Sequence, residues 1–512
     1  MPRGRASACS RLSCVLRAVT LGRTSAGLTA IALTVNACGQ DTTAVTIGPP
    51  AQLVVGLPQG DVAAGLPLSV VVAINDAHGD RVHGPTFDVT LALEPNPQGA
   101  TLSGTLTQTA LDGIATFSDV HISRAGRSFA LSATGNSISA SSPRFDVRLR
   151  LTSVTVGNGM ACGLAPSGDA YCWGRNQTGG LGNGTSGTDR ARPVLVAGNL
   201  TFTQVDAGSG SNINNVLDGG GCGVVETGTA YCWGRNDYGQ LGNGNAGVDS
   251  KVPVPVSGGI RFQYVSMGRD HACGLTRSGE ILCWGDNRGG QLGNPNAGAG
   301  SDVPVLVSGG LAYTALSVGD ISSCALEVAG DAYCWGSAAP TDQEGSPMST
   351  APGLVTGGVV FAQVDPGTFL HMCGVRTSHE GYCWGQDLLG GELGTGTPHQ
   401  NEATPAPVSG GHAWIYIGAG GSFSCGLRLD GVAMCWGYDY NGEVGQGILG
   451  RGTTVPTPVV GGLRFVQMGV GHGSTCAVTE NEDAYCWGSG LWGEHGDGTF
   501  AAGATPTKVV TP

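Results

Sequence analysis

The sequence predicts an all-β protein: seven copies of one repeat, of the kind that closes into a propeller or stacks into a solenoid, behind a smaller β-sandwich. Three observations carry this. A Cys-Trp-Gly tripeptide occurs seven times, from "AYCWGRN" at 170–176 to "AYCWGSG" at 484–490. Its cysteines recur at intervals of 60, 51, 51, 49, 52 and 51 residues, a period that favours propellers or solenoids. Glycine makes up 90 of the 512 residues and charged residues only 12%, and the stretches between turn signals read as short strands.

Residues 1–37 read as an export signal of lipoprotein type. Five arginines and no acid accompany the apolar run "AGLTAIALTVNAC", which ends at Ala37 and Cys38. The segment Val35-Asn36-Ala37-Cys38 resembles a bacterial lipobox, which implies acylation of Cys38 and a lipid anchor in the cell envelope. Asn36 departs from the small or hydroxyl residue usual there, so soluble secretion is the alternative. Residues 38–50, including "GQDTTAVTIGPP", form a flexible tether. No other run approaches the roughly 20 apolar residues that span a bilayer.

The formal net charge is −13; without the five leader arginines, 20 basic side chains face 38 acidic ones, and the only lysines are Lys251 and Lys508. Such a surface repels phosphate backbones, which excludes nucleic acid as a partner.

Residues 51–148 contain no cysteine. "LSVVVAINDAHGDRV", "GIATFSDVHI" and "FALSATG" alternate apolar and polar residues between turns. Length and pattern fit an immunoglobulin-like β-sandwich. The "DAHGD" turn and "GIATFSDV" also resemble exported bacterial Ig-like modules, and the segment is read as a spacer.

The fourteen cysteines beyond the leader form seven pairs: Cys162/Cys172, Cys222/Cys232, Cys273/Cys283, Cys324/Cys334, Cys373/Cys383, Cys425/Cys435 and Cys476/Cys486, each ten residues apart. In "CGLAPSGDAYC" a three-residue turn, Pro166-Ser167-Gly168, joins two strands. The third turn position needs a positive φ, which favours glycine. Five units have glycine there; His379 and Glu482 are the exceptions. That register sets Cys162 opposite Cys172, at a Cα separation of about 4.5–5.5 Å that a disulfide bridges. Zinc, which wants four ligands at shorter spacing, fits poorly. Each pair is therefore expected to staple the second strand of its unit to the third. The tryptophan that follows fills the space between neighbouring units, and its glycine lets the chain turn.

Downstream of the tripeptide stand "RNQTGGLGNG", "RNDYGQLGNG" and "QDLLGGELGTG"; upstream stand "FTQVDAG", "FQYVSMG" and "FVQMGVG". This pattern resembles the regulator of chromosome condensation repeat. The resemblance covers residues 149–512 and implies a seven-bladed β-propeller of four-stranded blades, the paired cysteines being an elaboration of exported bacterial members. Unit four departs, with "SAAPTDQEGSP" in place of the G-x-LG segment. Closure is expected to pair the terminal "PTKVV" with the strands near "LTSVTVG".

No phosphate-binding loop, nucleophile elbow, zincin motif or EF-hand occurs, and no sequence-local carboxylate pair suits acid–base work. No catalytic residue, metal or cofactor is expected. His271 and His371 are read as structural, and Asn176, Asn236 and Asn287 as turn-binding. Antiparallel strands bring the one–two and three–four loops to one face. Arg175, Tyr238, Asp270, Phe369, Leu370, Phe423, Tyr440 and Trp492 are the candidate partner-facing residues there, since aromatics with a few charges make protein-binding patches.

The expected function is therefore that of a non-enzymatic envelope protein binding a protein or glycan. The alternatives are guanine-nucleotide exchange, as in the founder of the repeat family, and a polysaccharide hydrolase or lyase with carboxylates in the central channel. Mass spectrometry of the native protein should find fourteen hydrogens missing from the cysteine thiols and an acylated Cys38 as the first residue. Free or metal-bound thiols would refute the stapled hairpins.

Overall fold

The computed structural model describes residues 47–84, 86–96, 98–208, 211–213, 216–337, 349–368 and 370–512. The leader, Cys38 and most of the tether lie outside that set. Every regular element among the described residues is a strand.

The N-terminal part has a three-stranded sheet, ordered Val62–Ala63, Phe145–Arg148 and Gly126–Phe129, and two four-stranded sheets. One orders Gln52–Gly56, Pro67–Asn75, Ile114–Ile122 and Leu102–Ser103; the other orders Ile138–Ser141, Leu131–Gly135, Asp88–Leu93 and Thr107–Thr109. The alternation read in the sequence buries one side of each strand. Val70, Val72 and Phe117 of the first sheet share a core with Val89, Leu91 and Leu131 of the second.

Seven four-stranded antiparallel sheets follow, spanning 153–195, 202–255, 262–306, 313–354, 361–407, 414–458 and 465–508. In the first, Ser153–Val156, Met160–Leu164, Ala170–Gly174 and Arg190–Leu195 pair in chain order. The hairpin register is the one the glycine turn requires. Leu164 faces Ala170, Cys162 faces Cys172, and the Ala165 amide donates to the Asp169 carbonyl at 2.9 Å. Gly168 has φ +81°; His379 and Glu482 adopt the same left-handed conformation at +71° and +60°. Side-chain contacts offset that strain: His379 Nδ1 lies 3.0 Å from the Trp414 carbonyl oxygen, and Glu482 pairs with Arg150.

All seven cysteine pairs are bonded across directly opposed positions. Cys162 joins Cys172, Cys222 joins Cys232, Cys273 joins Cys283 and Cys324 joins Cys334. Cys373 joins Cys383, Cys425 joins Cys435 and Cys476 joins Cys486. Their Cα atoms are 4.0–4.1 Å apart. That is closer than the roughly 4.5–5.5 Å expected of opposed residues.

Neighbouring sheets are joined by one recurring hydrogen bond. The Cys-Trp-Gly indole N–H donates to a backbone carbonyl in the G-x-LG segment of the preceding unit. Trp233 donates to Gly180 at 3.0 Å, Trp284 to Gln240 at 2.9 Å, Trp335 to Gln291 at 2.8 Å, Trp436 to Glu392 at 2.9 Å and Trp487 to Glu443 at 3.2 Å. Trp173 of the first unit donates to Glu494 of the seventh at 2.7 Å, which closes the circle. The buried indole N–H of Trp384 has no acceptor among the described residues. Its preceding unit is the fourth, which lacks the G-x-LG segment, and residues 338–348 are outside the described set.

Closure differs from the expectation. The C-terminal strand Gly503–Lys508 pairs with Ala484–Gly488 of its own unit, so no described sheet combines the two chain ends. The first strands of units seven and one meet through a side chain instead. The Gln467 amide donates to the Val154 carbonyl at 2.9 Å and accepts from its N–H at 2.8 Å. Gln204 grips Val265 and Gln363 grips Ile417 in the same two-way fashion. Four strands contiguous in sequence complete each sheet locally, so contacts between sheets, the indole and glutamine bonds among them, have to close the ring.

The N-terminal sheets attach to the two–three hairpin turns. Arg148 pairs with Asp483, Arg150 with Glu482 and Arg124 with Asp169, while Ala125, Leu149 and Leu151 share a core with Val154 and Val478. Antiparallel order puts those turns on one side of the ring and the one–two and three–four loops on the other, which the described N-terminal sheets leave open.

Trp284→Phe and Trp384→Phe remove similar buried area, but only the first strands a carbonyl. Urea unfolding should show Trp284→Phe costing about 1–2 kcal/mol more; equal losses would remove the indole bond from the account of how the units hold together.

Candidate functional site

The open face carries a cavity of about 420 Å³ between units six, seven and one, edged by unit five and lined in part by Leu389, Phe423, Tyr438, Tyr440, Glu443 and Trp492. Its walls come from one–two and three–four loops, the latter held by turn bonds that repeat from unit to unit. In units one to three an asparagine two residues past the Trp-Gly accepts from a backbone N–H at the G-x-LG segment. Asn176 accepts from Leu181 at 3.2 Å, Asn236 from Leu241 at 3.0 Å and Asn287 from Leu292 at 3.0 Å. Asp387 and Asp439 do the same in units five and six, toward Glu392 at 2.8 Å and Val444 at 3.1 Å. With the loop backbone fixed this way, the residues between are free to vary, and they diverge around the ring.

Units five to seven expose large apolar side chains there: Leu388, Leu389, Tyr438, Tyr440 and Leu491. The corresponding loops of units one to three hold Gln177, Asp237 and Arg288 instead. Tyr440 is 69% exposed and stacks on Tyr438 with ring centroids 6.4 Å apart. Beneath them Glu443 accepts from the Asn441 N–H at 2.7 Å and Glu494 from the Trp492 N–H at 2.7 Å. Burial pushes both carboxyls above their ordinary range.

The eight partner-facing candidates separate. Tyr440, Trp492 and the buried Phe423 border the cavity. Arg175 is 7% exposed and lies beside it, its guanidinium 4.2 Å from the centroid of the Trp492 ring. Tyr238 is partly buried under Arg288 and Leu370 is partly buried; Phe369 is outside the described residues. Two candidates are almost wholly buried. Phe423 is 1% exposed because its strand position points inward between units. Asp270 is also 1% exposed, drawn in by ion pairs to Arg235 and Arg269.

The bonded cysteines take no part in this face. Cys172, Cys232, Cys283, Cys334, Cys383, Cys435 and Cys486 are all buried, as are their partners Cys162, Cys222, Cys273, Cys324, Cys373, Cys425 and Cys476. None of them borders the loop-face cavity or the central one. Mid-strand positions facing the space between units put the sulfurs in the core, so they hold the frame and present no chemistry to a ligand.

His271 and His371 are buried against the hydroxyls of Ser323 and Ser424, at 2.9 and 3.0 Å. Burial brings them down to about 3 and about 4. Among the described residues no three metal-ligating side chains converge.

The central cavity of about 400 Å³, lined by first strands, holds features that sequence reasoning missed. Asp206 accepts from the Ser266 hydroxyl and the Met267 N–H, both at 2.9 Å; Asp365 accepts from the Tyr416 hydroxyl at 2.9 Å and the Gly367 N–H at 3.0 Å. Each is half-buried in the lumen wall, and desolvation pushes Asp206 up to about 7 and Asp365 up to about 6. The available signal was the recurrence of "QVD" in "FTQVDAG" and "FAQVDPG".

Comparison with known proteins finds the same repeat. The family model described as regulator of chromosome condensation (RCC1) repeat matches residues 167–213, 227–275 and 278–326. The Ultraviolet-B receptor UVR8 of Arabidopsis thaliana is 31% identical over 359 residues, covering 65% of this chain and 76% of the relative. The mitochondrial RCC1 domain-containing protein RUG3 of the same plant is 26% identical, covering 54% and 70%. Among solved structures, human WBSCR16 aligns with TM-score 0.58 at 21% identity over 67% of this chain and 95% of that one. Yeast RCC1 (Prp20) bound to Kap60 aligns at 0.53 and 19% identity over 63% and 78%.

A carboxyl whose folded pKa exceeds its unfolded value favours the fold below the unfolded pKa and penalises it as pH rises through the folded one. Asp206→Asn should therefore match wild type near pH 4 and become more stable by about 1–3 kcal/mol above pH 7. His271 and His371 titrate in the opposite sense, losing stability as pH falls below about 6.5, but they are common to both proteins and cancel in the difference. Urea midpoints across this range decide it; a pH-independent difference would refute the assignment.

Proposed function

The chain belongs to the family built from regulator of chromosome condensation repeats, and from that premise we propose that it is a non-enzymatic binding propeller which captures a protein partner on its open loop face. The seven sheets are its seven blades, residues 51–148 an Ig-like spacer, and residues 1–37 the signal that exports it to the envelope, anchored through Cys38. The observation that carries the reading is the apolar and aromatic sector around the cavity at Tyr438, Tyr440 and Trp492. Exposed large apolar groups concentrated on one sector mark an interaction surface. One related yeast structure holds Kap60, and another is described by its binding to Gsp1p and histones, which supports protein capture as the use of this scaffold.

The attachment of the N-terminal sheets to the opposite side supports the tethered arrangement, since it leaves the loop face toward the surroundings. Fourteen bonded cysteines support an oxidising compartment. A second reading, polysaccharide cleavage, draws on the two lumen carboxyls of raised pKa, Asp206 and Asp365. Against it, their oxygens are occupied in bonds to the first-strand residues of the lumen wall.

Affinity capture from envelope extract should retain a defined protein on wild type and lose at least about tenfold of it on a Tyr438→Ala/Tyr440→Ala variant, the loss expected when central aromatic anchors go. Equal retention would move the site off this face. Release of reducing ends from an envelope polysaccharide, abolished in Asp206→Asn/Asp365→Asn, would favour the second reading.

A further inference from the structure

Arg175 is a cation without an anion among the described residues. It is 7% exposed, and its Nε and Nη1 are buried with no hydrogen-bond partner. The ring of Trp492 covers its guanidinium. The molecule supplies its own control. Arg235 occupies the same position in unit two, and there two carboxylates satisfy it: Asp237 at 2.6 Å and Asp270 at 3.2 Å, the latter from the one–two loop of unit three. The positions corresponding to those aspartates around Arg175 are Gln177 and Gly219. Gln177 is engaged elsewhere, donating to Asp189 at 2.8 Å. Neither of those two positions holds a carboxylate, and the guanidinium is kept.

We propose that Arg175 is a carboxylate-binding site, in which an acidic side chain of the protein partner takes the place that Asp270 holds in the next unit and displaces the Trp492 indole from over the guanidinium. A buried guanidinium with unmade hydrogen bonds is unfavourable, and a carboxylate matches its fork in a bidentate geometry. Trp492 acts as the lid. It shields Arg175 in the free protein and belongs to the same aromatic wall as Tyr440, so an apolar residue beside the acid would settle into the cavity. The partner segment this predicts is a glutamate or aspartate next to a large apolar side chain. The inference rests on the loop-face reading above and names the chemistry of what binds there.

The test uses the full chain and two labelled, end-blocked hexapeptides that differ only in one residue beside a phenylalanine: glutamate in one, glutamine in the other. The glutamate peptide should bind at least about tenfold more tightly to wild type. That preference should vanish in Arg175→Gln and persist in Arg235→Gln. Of the nine tryptophans, eight are less than 2% exposed and Trp492 is the ninth, so binding should red-shift a part of the emission that Trp492→Phe removes. Removing an unpaired buried charge should also leave Arg175→Gln at least as thermally stable as wild type. Equal binding of the two peptides, or a clear loss of stability in Arg175→Gln, would overturn the proposal. So would a response to oligogalacturonate alone, which would assign the site to a uronic acid. If Arg175→Gln still captures the envelope partner that Tyr438→Ala/Tyr440→Ala loses, the loop-face reading survives and the carboxylate site falls.

Discussion

One hydrogen bond, from a buried indole N–H to a backbone carbonyl in the preceding unit, governs the assembly of this chain. A four-stranded sheet of about forty residues has two apolar faces and cannot bury both alone. The Cys-Trp-Gly tryptophan solves this by lying in a core shared with the unit before its own: Trp233 clusters with Cys162 and Leu181 of unit one and with Phe202 of unit two. Its polar N–H would be a liability there, and the carbonyl beside Leu181 receives it. Area and hydrogen bond thus act at the same place, and the unit's position relative to its neighbour is fixed. Repetition of that step through Trp173 and Glu494 brings the seventh unit against the first.

Within a unit, the staple and the turn specify the same register. The positive φ at the third turn position admits one hairpin geometry, and in that geometry the two cysteines are directly opposed. This is why the fold was legible in the spacing. Ten residues between cysteines, with glycine at a constant offset, is a geometric statement about strands rather than a compositional one. Closure was not legible, because nothing in a strand's sequence says whether its edge pairs with a neighbour in the chain or with the far end. Here each sheet is complete on its own, and the glutamines at 204, 363 and 467 perform the joining.

The loop face was legible only in part, and Phe423 shows the reason. It stands two residues before a first cysteine, the register of His271 and His371, whose place in the interior the sequence does suggest. Period-two alternation puts all three on the same side of their strands, so one cannot be surface while the other two are buried. Asp270 failed differently: its partner Arg235 lies in another unit, and pairing across units leaves no trace in local sequence. Asp206 and Asp365 escaped for the same cause, since only the ring brings them to a common cavity.

A repeat array builds function by letting equivalent positions diverge on a frame that does not. The slot directly after Trp-Gly holds Arg175, Arg235, Asp286, Gln386 and Tyr438 in five of the units. Its backbone is set each time by the same strand end, so what varies is the partner available from the adjacent loop. Where carboxylates remain, as around Arg235, the slot adds an internal ion pair. Where a tyrosine replaces the cation, as at 438, the slot contributes exposed ring area. Arg175 is the intermediate case, a cation with its internal partners gone and an aromatic ring in their stead. It stands at the border of the apolar sector, and a repeated structure becomes directional at that border: one arc is occupied with its own interactions, and the other is left with surface to offer.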